Sequence, residues 1–365
     1  MTRYFPYCFL ALAIVILYSP LSEFGYVQDD RVLIRGFLSG GVPNLSPEGK
    51  LFFRPFGWLY CYSVYQIFGM NGIGFHLLAV TFLFTTSLVV KFLSEALVSD
   101  KLAGWTAAFL YAGAANIHLD AQMWMVGIYD NGATLFALLS VLFFVRRQTG
   151  LSLLCLVIAL GFKEVAVMAL PIIFVYGHMV AQTKPWTRAI PWLHIGLIVV
   201  WVLLKSYGVY LPSLPSDDPY ASQIVGWHVL THMGTYATWV APLRIGTVFV
   251  VAMMVSVCGA LPRVGWFLVA GAIFLLIPSS ILITHVFAYY LMTALPYFAI
   301  GVSLGIAHAP IPLNLRKVVL LGTVVASLIL GFMFIQGQIA QGRDSGAPAR
   351  EDGYNHLVAK SLAGE

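Results

Sequence analysis

Charge is what this chain has least of. Of its 365 residues only 10% are Asp, Glu, Lys or Arg, against 60% hydrophobic, and the mean hydropathy of +0.86 lies outside the range of soluble domains. Cysteine is scarce too. Cys8, Cys61, Cys155 and Cys258 stand singly in or beside apolar segments, so neither a disulfide framework nor a zinc-ligand spacing is present. There is no internal repeat and no low-complexity tract. No small-x-small cleavage site follows the first apolar run, which is therefore expected to remain as a permanent helix although Arg3 precedes it as in a signal peptide. The formal charge of +5 reports topology and implies no nucleic-acid partner.

Long apolar runs are what the chain has instead. A bilayer-spanning helix needs roughly 20 mainly apolar residues, and about eleven such stretches are present. They lie near 5 to 22, 73 to 93, 102 to 117, 131 to 145, 150 to 162, 165 to 181, 190 to 207, 245 to 261, 264 to 282, 287 to 307 and 317 to 337. The expected architecture is an all-α, polytopic transmembrane helix bundle over residues 1 to 337. A polar tail, 338 to 365, follows and is too small for a folded domain.

Positive charge in short loops marks the cytoplasmic side. With the N-terminus inside, Arg3, Lys91, Lys101, Arg146, Arg147, Lys184, Arg188, Arg263, Arg316 and Lys317 all fall inside, accompanied by only Glu95 and Asp100. Two long segments, 23 to 72 and 208 to 244, then form the outer face. The first holds the loop GGVPNLSPEGK and then LFFRPFGWLYCYSVYQIFG, expected as an aromatic helix at the outer interface. The second opens with LPSLPSDDPY and continues through a stretch containing His and Trp.

In this topology the ionisable residues at alternate boundaries all emerge outside: Asp29 and Asp30, His118 and Asp120, Lys163 and Glu164, Asp217 and Asp218, and His285. Charge near hydrocarbon is retained mainly where it pairs, lines a cavity or performs chemistry. Asp29 and Asp30 follow the first helix in VQDDRVLI, where a carboxylate can act as general base toward a hydroxyl or a pair can hold a divalent cation. A solvated helix end is the plainer alternative. Arg54, among Phe52, Phe53, Phe56 and Trp58, offers a planar fork for phosphate or an interfacial cation that snorkels to headgroups.

Lys163 and Glu164 interrupt an apolar run of more than twenty residues, and their burial costs several kcal/mol unless they are paired or wetted. A tight turn between two helices is expected there, with Lys163 facing phosphate and Glu164 ordering it, or else a hairpin ion pair. His118 and Asp120 face one ligand if the segment is a loop and point apart if it is a helix. His285 is a phosphate or sugar contact candidate, and the aromatic belt alone accounts for Tyr289 and Tyr290.

Taken in order, these landmarks resemble the GT-C superfamily of membrane glycosyltransferases, particularly the branch of protein O-mannosyltransferases, the transmembrane TPR-bearing O-mannosyltransferases and their bacterial relatives. The residues that carry the likeness are the acidic pair of VQDDRVLI, the aromatic Arg-Pro segment from Leu51 to Leu78, the series His118, Asp120, Trp124, Gly127 and Asp130, and the turn Lys163–Glu164. It covers roughly residues 20 to 180. Two departures stand out. Relatives often carry an Arg-Tyr pair near Ala288 to Tyr290, absent here, and no soluble repeat domain follows the bundle.

The resemblance implies transfer of a sugar, as by a hexosyltransferase, from a polyprenyl-phosphate-linked donor to an acceptor hydroxyl on the outer face of the inner membrane, with inversion. Asp29, or Asp30 in its place, would be the base. Arg54, Lys163, His118 and His285 would hold the donor phosphate, supported by Asp120, Glu164, Trp124 and Asp130. A metal stays open, since oligosaccharyltransferase-like relatives use a divalent ion and the mannosyltransferase branch does not. The acceptor is a glycan, a lipid-linked polymer or a protein hydroxyl; the small outer loops favour a cell-surface glycan such as O-antigen. A transporter or flippase of lipid-linked sugars is the main competitor, but the charges gather at one boundary and no repeat is visible. A membrane acyltransferase would call for a catalytic mid-chain His, and His178 has no partner in sequence.

Overall fold

The computed structural model describes residues 4–23, 30–38, 53–69, 71–181, 189–206, 226–240, 244–282 and 286–344. Among them the chain is a helix bundle with no strand element: α1 (Phe5–Tyr18), α2 (Asp30–Leu38), α3 (Pro55–Phe68), α4 (Gly72–Val98), α5 (Lys101–Gly113), α6 (Ala115–Met123), α7 (Ile128–Val145), α8 (Thr149–Phe162), α9 (Ala169–Val175), α10 (Ala189–Ser206), α11 (Trp227–Trp239), α12 (Arg244–Ala260), α13 (Pro262–Ser280), α14 (Leu295–Ala307) and α15 (Leu313–Asp344). Short 3₁₀ turns at Met125–Gly127, Glu164–Met168 and Ala288–Thr293 lie between α6 and α7, α8 and α9, and α13 and α14.

Among the described residues four helices are long and apolar enough to cross a membrane alone: Gly72–Val98, Met125–Val145, Pro262–Ser280 and Leu313–Ala340. Six shorter apolar helices, Phe5–Leu21, Thr149–Phe162, Glu164–Val180, Trp192–Leu204, Gly246–Ala260 and Leu295–Ala307, accompany them. With α5 they overlap the stretches expected from hydropathy, but the one expected at 287 to 307 is an α-helix only from Leu295, after the 3₁₀ turn Ala288–Thr293. The surface is apolar as well. Leu12, Ile16, Leu203, Val251, Val255, Leu321 and Met333 are exposed on α1, α10, α12 and α15, an arrangement that suits lipid and not water.

The span expected at 102 to 117 is shorter than that. Ala114 leaves helical geometry at φ −76°, ψ 60°, so α5 ends at Gly113 and α6 starts as a separate helix bearing His118 and Asp120. The last helix begins at Leu313 and runs on to Asp344, past the expected boundary at 337.

α7 is the structural centre. Its apolar window is 72% buried, against 22% for α15, and α4, α8 and α9 pack around it. Polar ties replace part of the apolar packing, because a buried hydroxyl or imidazole in hydrocarbon costs free energy unless bonded. Ser152 Oγ donates to Ser140 O at 2.8 Å and lies 3.0 Å from His194 Nε2, linking α8, α7 and α10. Tyr18 Oη donates to Ala112 O at 2.9 Å, linking α1 to α5.

Candidate functional site

The start of α7 collects side chains from distant parts of the sequence. A helix start leaves backbone N–H groups without intrahelical acceptors. Here Asp30 supplies them: fully buried at the first residue of α2, it accepts the Met125 N–H on Oδ2 and the Val126 N–H on Oδ1, both at 2.9 Å. Such charge-assisted bonds are roughly twice as strong as neutral ones. They fasten α2 to the α6–α7 joint. Gly127 belongs to the same turn and packs against the Ala121 backbone, where any Cβ would collide. Beneath it, Gln122 Nε2 donates to Asn131 Oδ1 at 3.1 Å, Asn131 Nδ2 donates to Ala121 O at 3.0 Å, and His76 Nδ1 lies 3.2 Å from Gln122 O.

Arg54 approaches from α3. Pro55 sits at the first turn of that helix, where its missing N–H is harmless, and the residue before a proline is held out of the helical region; Arg54 has φ −129°, ψ 62°. Its guanidinium grips Glu164 at two points, Nε to Oε2 at 3.1 Å and Nη2 to Oε1 at 2.7 Å, and lies 5.2 Å from the centre of the Tyr129 ring. Burial opposes the Arg54 charge, but Glu164, with Asp130 further off, holds its pKa above the usual range. Gly57 makes this approach feasible, since a methyl there would run into the Tyr129 ring.

Lys163 arrives from the end of α8. Its ammonium donates to Asp130 Oδ1 at 2.7 Å and Oδ2 at 2.8 Å, and it lies 5.0 Å from the Tyr290 ring centre and 5.6 Å from that of Tyr289. The pair is largely sheltered, at 13% and 10% side-chain exposure. Two of the three ammonium protons are thus used on the carboxylate.

These pairings correct the expectation that Glu164 orders Lys163. Lys163 is extended, at φ −157°, ψ 145°, between α8 and the following 3₁₀ turn. Successive side chains of extended backbone point to opposite sides. The neighbours therefore diverge, Lys163 to Asp130 and Glu164 to Arg54. The junction is neither the expected tight hairpin turn nor a hairpin ion pair, but a place where two parallel ion pairs begin.

His118 and Asp120 are likewise separated. Two residues apart on α6, they point to different sides of the helix. His118 is fully buried, its Nε2 2.8 Å from Tyr111 O and its ring 4.6 Å from that of Tyr111, so these contacts hold it at the end of α5 and not at the Arg54–Lys163 cluster. Burial pushes its pKa down to about 4. Among the described residues no hydrogen bond or ion pair joins Asp120 to His118, so Asp120 does not orient it. Its carboxyl is half-buried, and that burial raises its pKa.

Trp124, at the end of α6, meets Tyr289 edge to face at 5.8 Å. Sequence reasoning credited Tyr289 and Tyr290 to the aromatic belt and gave Tyr129 no part. The signal for Tyr129 was present in its place beside Asp130, opposite a glycine three residues after Arg54. Asp29, His285, Asp217 and Asp218 lie outside the described residues. Among the described residues no group of three His, Cys, Asp or Glu side chains is placed to hold a metal ion.

No family model matches the chain, and no curated protein matches it in sequence. Among solved structures, the fold is similar to the crystal structure of ArnT from Cupriavidus metallidurans bound to undecaprenyl phosphate. The TM-score is 0.53 at 16% sequence identity, over 92% of this chain and 72% of that one. The likeness is one of fold, an all-α helix bundle.

Proposed function

We propose that the protein is a polyprenyl-phosphate-dependent GT-C glycosyltransferase that transfers a sugar to an acceptor hydroxyl on the outer face of the inner membrane. The observation that carries this is the gathering of Arg54, Lys163 and Asp30 around the start of α7, from positions as much as 110 residues from their partners, in a fold shared with an undecaprenyl phosphate-bound protein. A lipid-phosphate donor needs apolar flanks and a cationic phosphate site at one depth. Phe56, Trp58 and Phe162 supply the first, Arg54 and Lys163 the second.

In this reading the acceptor oxygen attacks the anomeric carbon from the face opposite the phosphate. The carbon–oxygen bond to phosphate breaks with its electron pair, and polyprenyl phosphate departs. Arg54 and Lys163 stabilise the charge that develops on the leaving oxygens, and the low basicity of phosphate makes a general acid unnecessary. Asp29 takes the proton of the acceptor hydroxyl. Both oxygens of Asp30 already accept backbone N–H bonds, so the base role is given to its neighbour, and Asp30 anchors α2 to the α6–α7 joint. Asp130 and Glu164 hold the two cations in place before the donor arrives. We assign the acceptor to cell-surface glycans such as O-antigen.

A flippase for lipid-linked sugars would use the same donor. The two are separated by where the donor accumulates when the gene is deleted. A transferase leaves polyprenyl-phosphate sugar in the outer leaflet, open to periodate added to spheroplasts. Accumulation in the inner leaflet overturns the transferase reading.

A further inference from the structure

We infer that Asp120, Trp124 and Tyr289 form the subsite that binds the pyranose ring of the donor, an inference that rests on the transferase reading above. α6 packs on the 3₁₀ turn Ala288–Thr293, and Trp124, just past the end of α6, stands one helical turn beyond Asp120, the turn closed by the Trp124 N–H to Asp120 O bond of 2.9 Å. Tyr289 stacks on Phe287 at 5.5 Å and 19°, and lies 4.6 Å from Tyr290. These rings form a wall beside Lys163.

Two polar groups where α6 meets this wall are without partners among the described residues. Trp124 Nε1–H is buried and has no acceptor among the described residues. Asp120 forms no hydrogen bond or ion pair among the described residues, unlike Asp30, Asp130 and Glu164. An unbonded indole donor and an unbonded, half-buried carboxylate each cost free energy that a ligand can recover.

Only one chemical class satisfies all the groups. An isoprenyl chain would suit the rings but leave both polar groups unpaired. A second phosphate would meet the Asp120 carboxylate, and like charges repel. A neutral pyranose presents hydroxyls that donate to Asp120 and accept from Trp124, while its C–H bonds face the negative ring faces of Tyr289. Lys163 lies over the same rings, which puts the sugar one linkage from the cation assigned to its phosphate. Burial holding the Asp120 pKa up agrees with a carboxylate that gains hydroxyl donors on binding.

The test is saturation-transfer difference NMR on the purified full-length protein in lipid nanodiscs. The probes are methyl α-D-mannopyranoside, methyl β-D-glucopyranoside and methyl α-D-galactopyranoside, with citronellyl phosphate in parallel. We expect ring-proton saturation from at least one pyranoside on the wild type, weakened on the order of tenfold in Asp120→Asn and Tyr289→Leu and measurably in the ring-conserving Trp124→Phe. The citronellyl phosphate signal should persist in all three, which also shows that they are folded. Pyranoside signals that none of these changes reduces would overturn the subsite. So would variants that lose citronellyl phosphate and keep the sugar, which would make the wall an isoprenoid groove. Because binding is read without turnover, failure of the transferase reading, seen as unchanged glycans in a deletion strain, is a separate result.

Discussion

Arg54 and Glu164, 110 residues apart in sequence, meet through two hydrogen bonds of 3.1 and 2.7 Å and so fix the start of α3 to the turn that follows α8. The geometry is a fork on a carboxylate, which no other cationic side chain reproduces. Arg54→Lys should therefore keep the charge yet lower transfer on the order of tenfold or more, for the loss of one charge-assisted bond. Glu164→Gln should destabilise the protein by about 1–3 kcal/mol, less than the roughly 3–5 of a fully buried pair, because Glu164 keeps 29% exposure. Thermal unfolding in detergent and an in vitro transfer assay read the two effects.

Lys163 and Asp130 allow structure and chemistry to be separated. Each single replacement, Lys163→Met or Asp130→Leu, strands a sheltered charge, whereas the double replacement strands none. The double variant should be more stable than the sum of the singles implies, with a coupling on the order of 1–3 kcal/mol. Its transfer activity should remain as low as that of Lys163→Met. Recovery of activity together with stability would make the pair purely architectural.

Asp30 is expected to behave as a clamp. In Asp30→Asn one oxygen is replaced by an amide donor that faces another donor, the backbone N–H of Met125 or Val126. The loss should be on the order of 1–3 kcal/mol of stability, visible as a lower unfolding temperature.

Acid should act on the fold through His118. Its folded pKa of about 4 lies below the usual 6.5, so its contribution is fully present above 6.5 and is lost as the pH falls toward 4. The unfolding midpoint should drop over that window, and His118→Leu should flatten the drop. Asp120 has the opposite sign: its folded pKa is raised, so its contribution is present at low pH and lost as the pH rises through the raised value. Asp120→Asn should accordingly stabilise the ligand-free protein at neutral pH.

Hydropathy carried most of the architecture, since a span of some twenty apolar residues has few alternatives to a membrane helix. The break at Ala114 was hidden because nothing in the run AGAANI interrupts hydropathy; only the backbone angles divide α5 from α6. Arg54, Lys163, Glu164 and Asp130 were each legible as isolated polar residues in apolar surroundings. Their partners were not, because adjacency suggested that Lys163 and Glu164 act together while the extended backbone at Lys163 sends them apart. His118 announced itself as chemistry and is held in packing against Tyr111, a contact that depends on α6 being helical. Tyr289 and Tyr290 were explained too cheaply by the interface, and their place beside Lys163 depends on a turn more than a hundred residues away.

The most direct test of the central claim is mass spectrometry of envelope glycans and polyprenyl-phosphate sugars from a deletion strain complemented with wild type, Asp29→Asn or Arg54→Ala, each verified in the membrane. The account predicts that one sugar disappears from a surface glycan in the deletion, that its polyprenyl-phosphate form accumulates, and that wild type alone restores the glycan. Full restoration by both variants would contradict it.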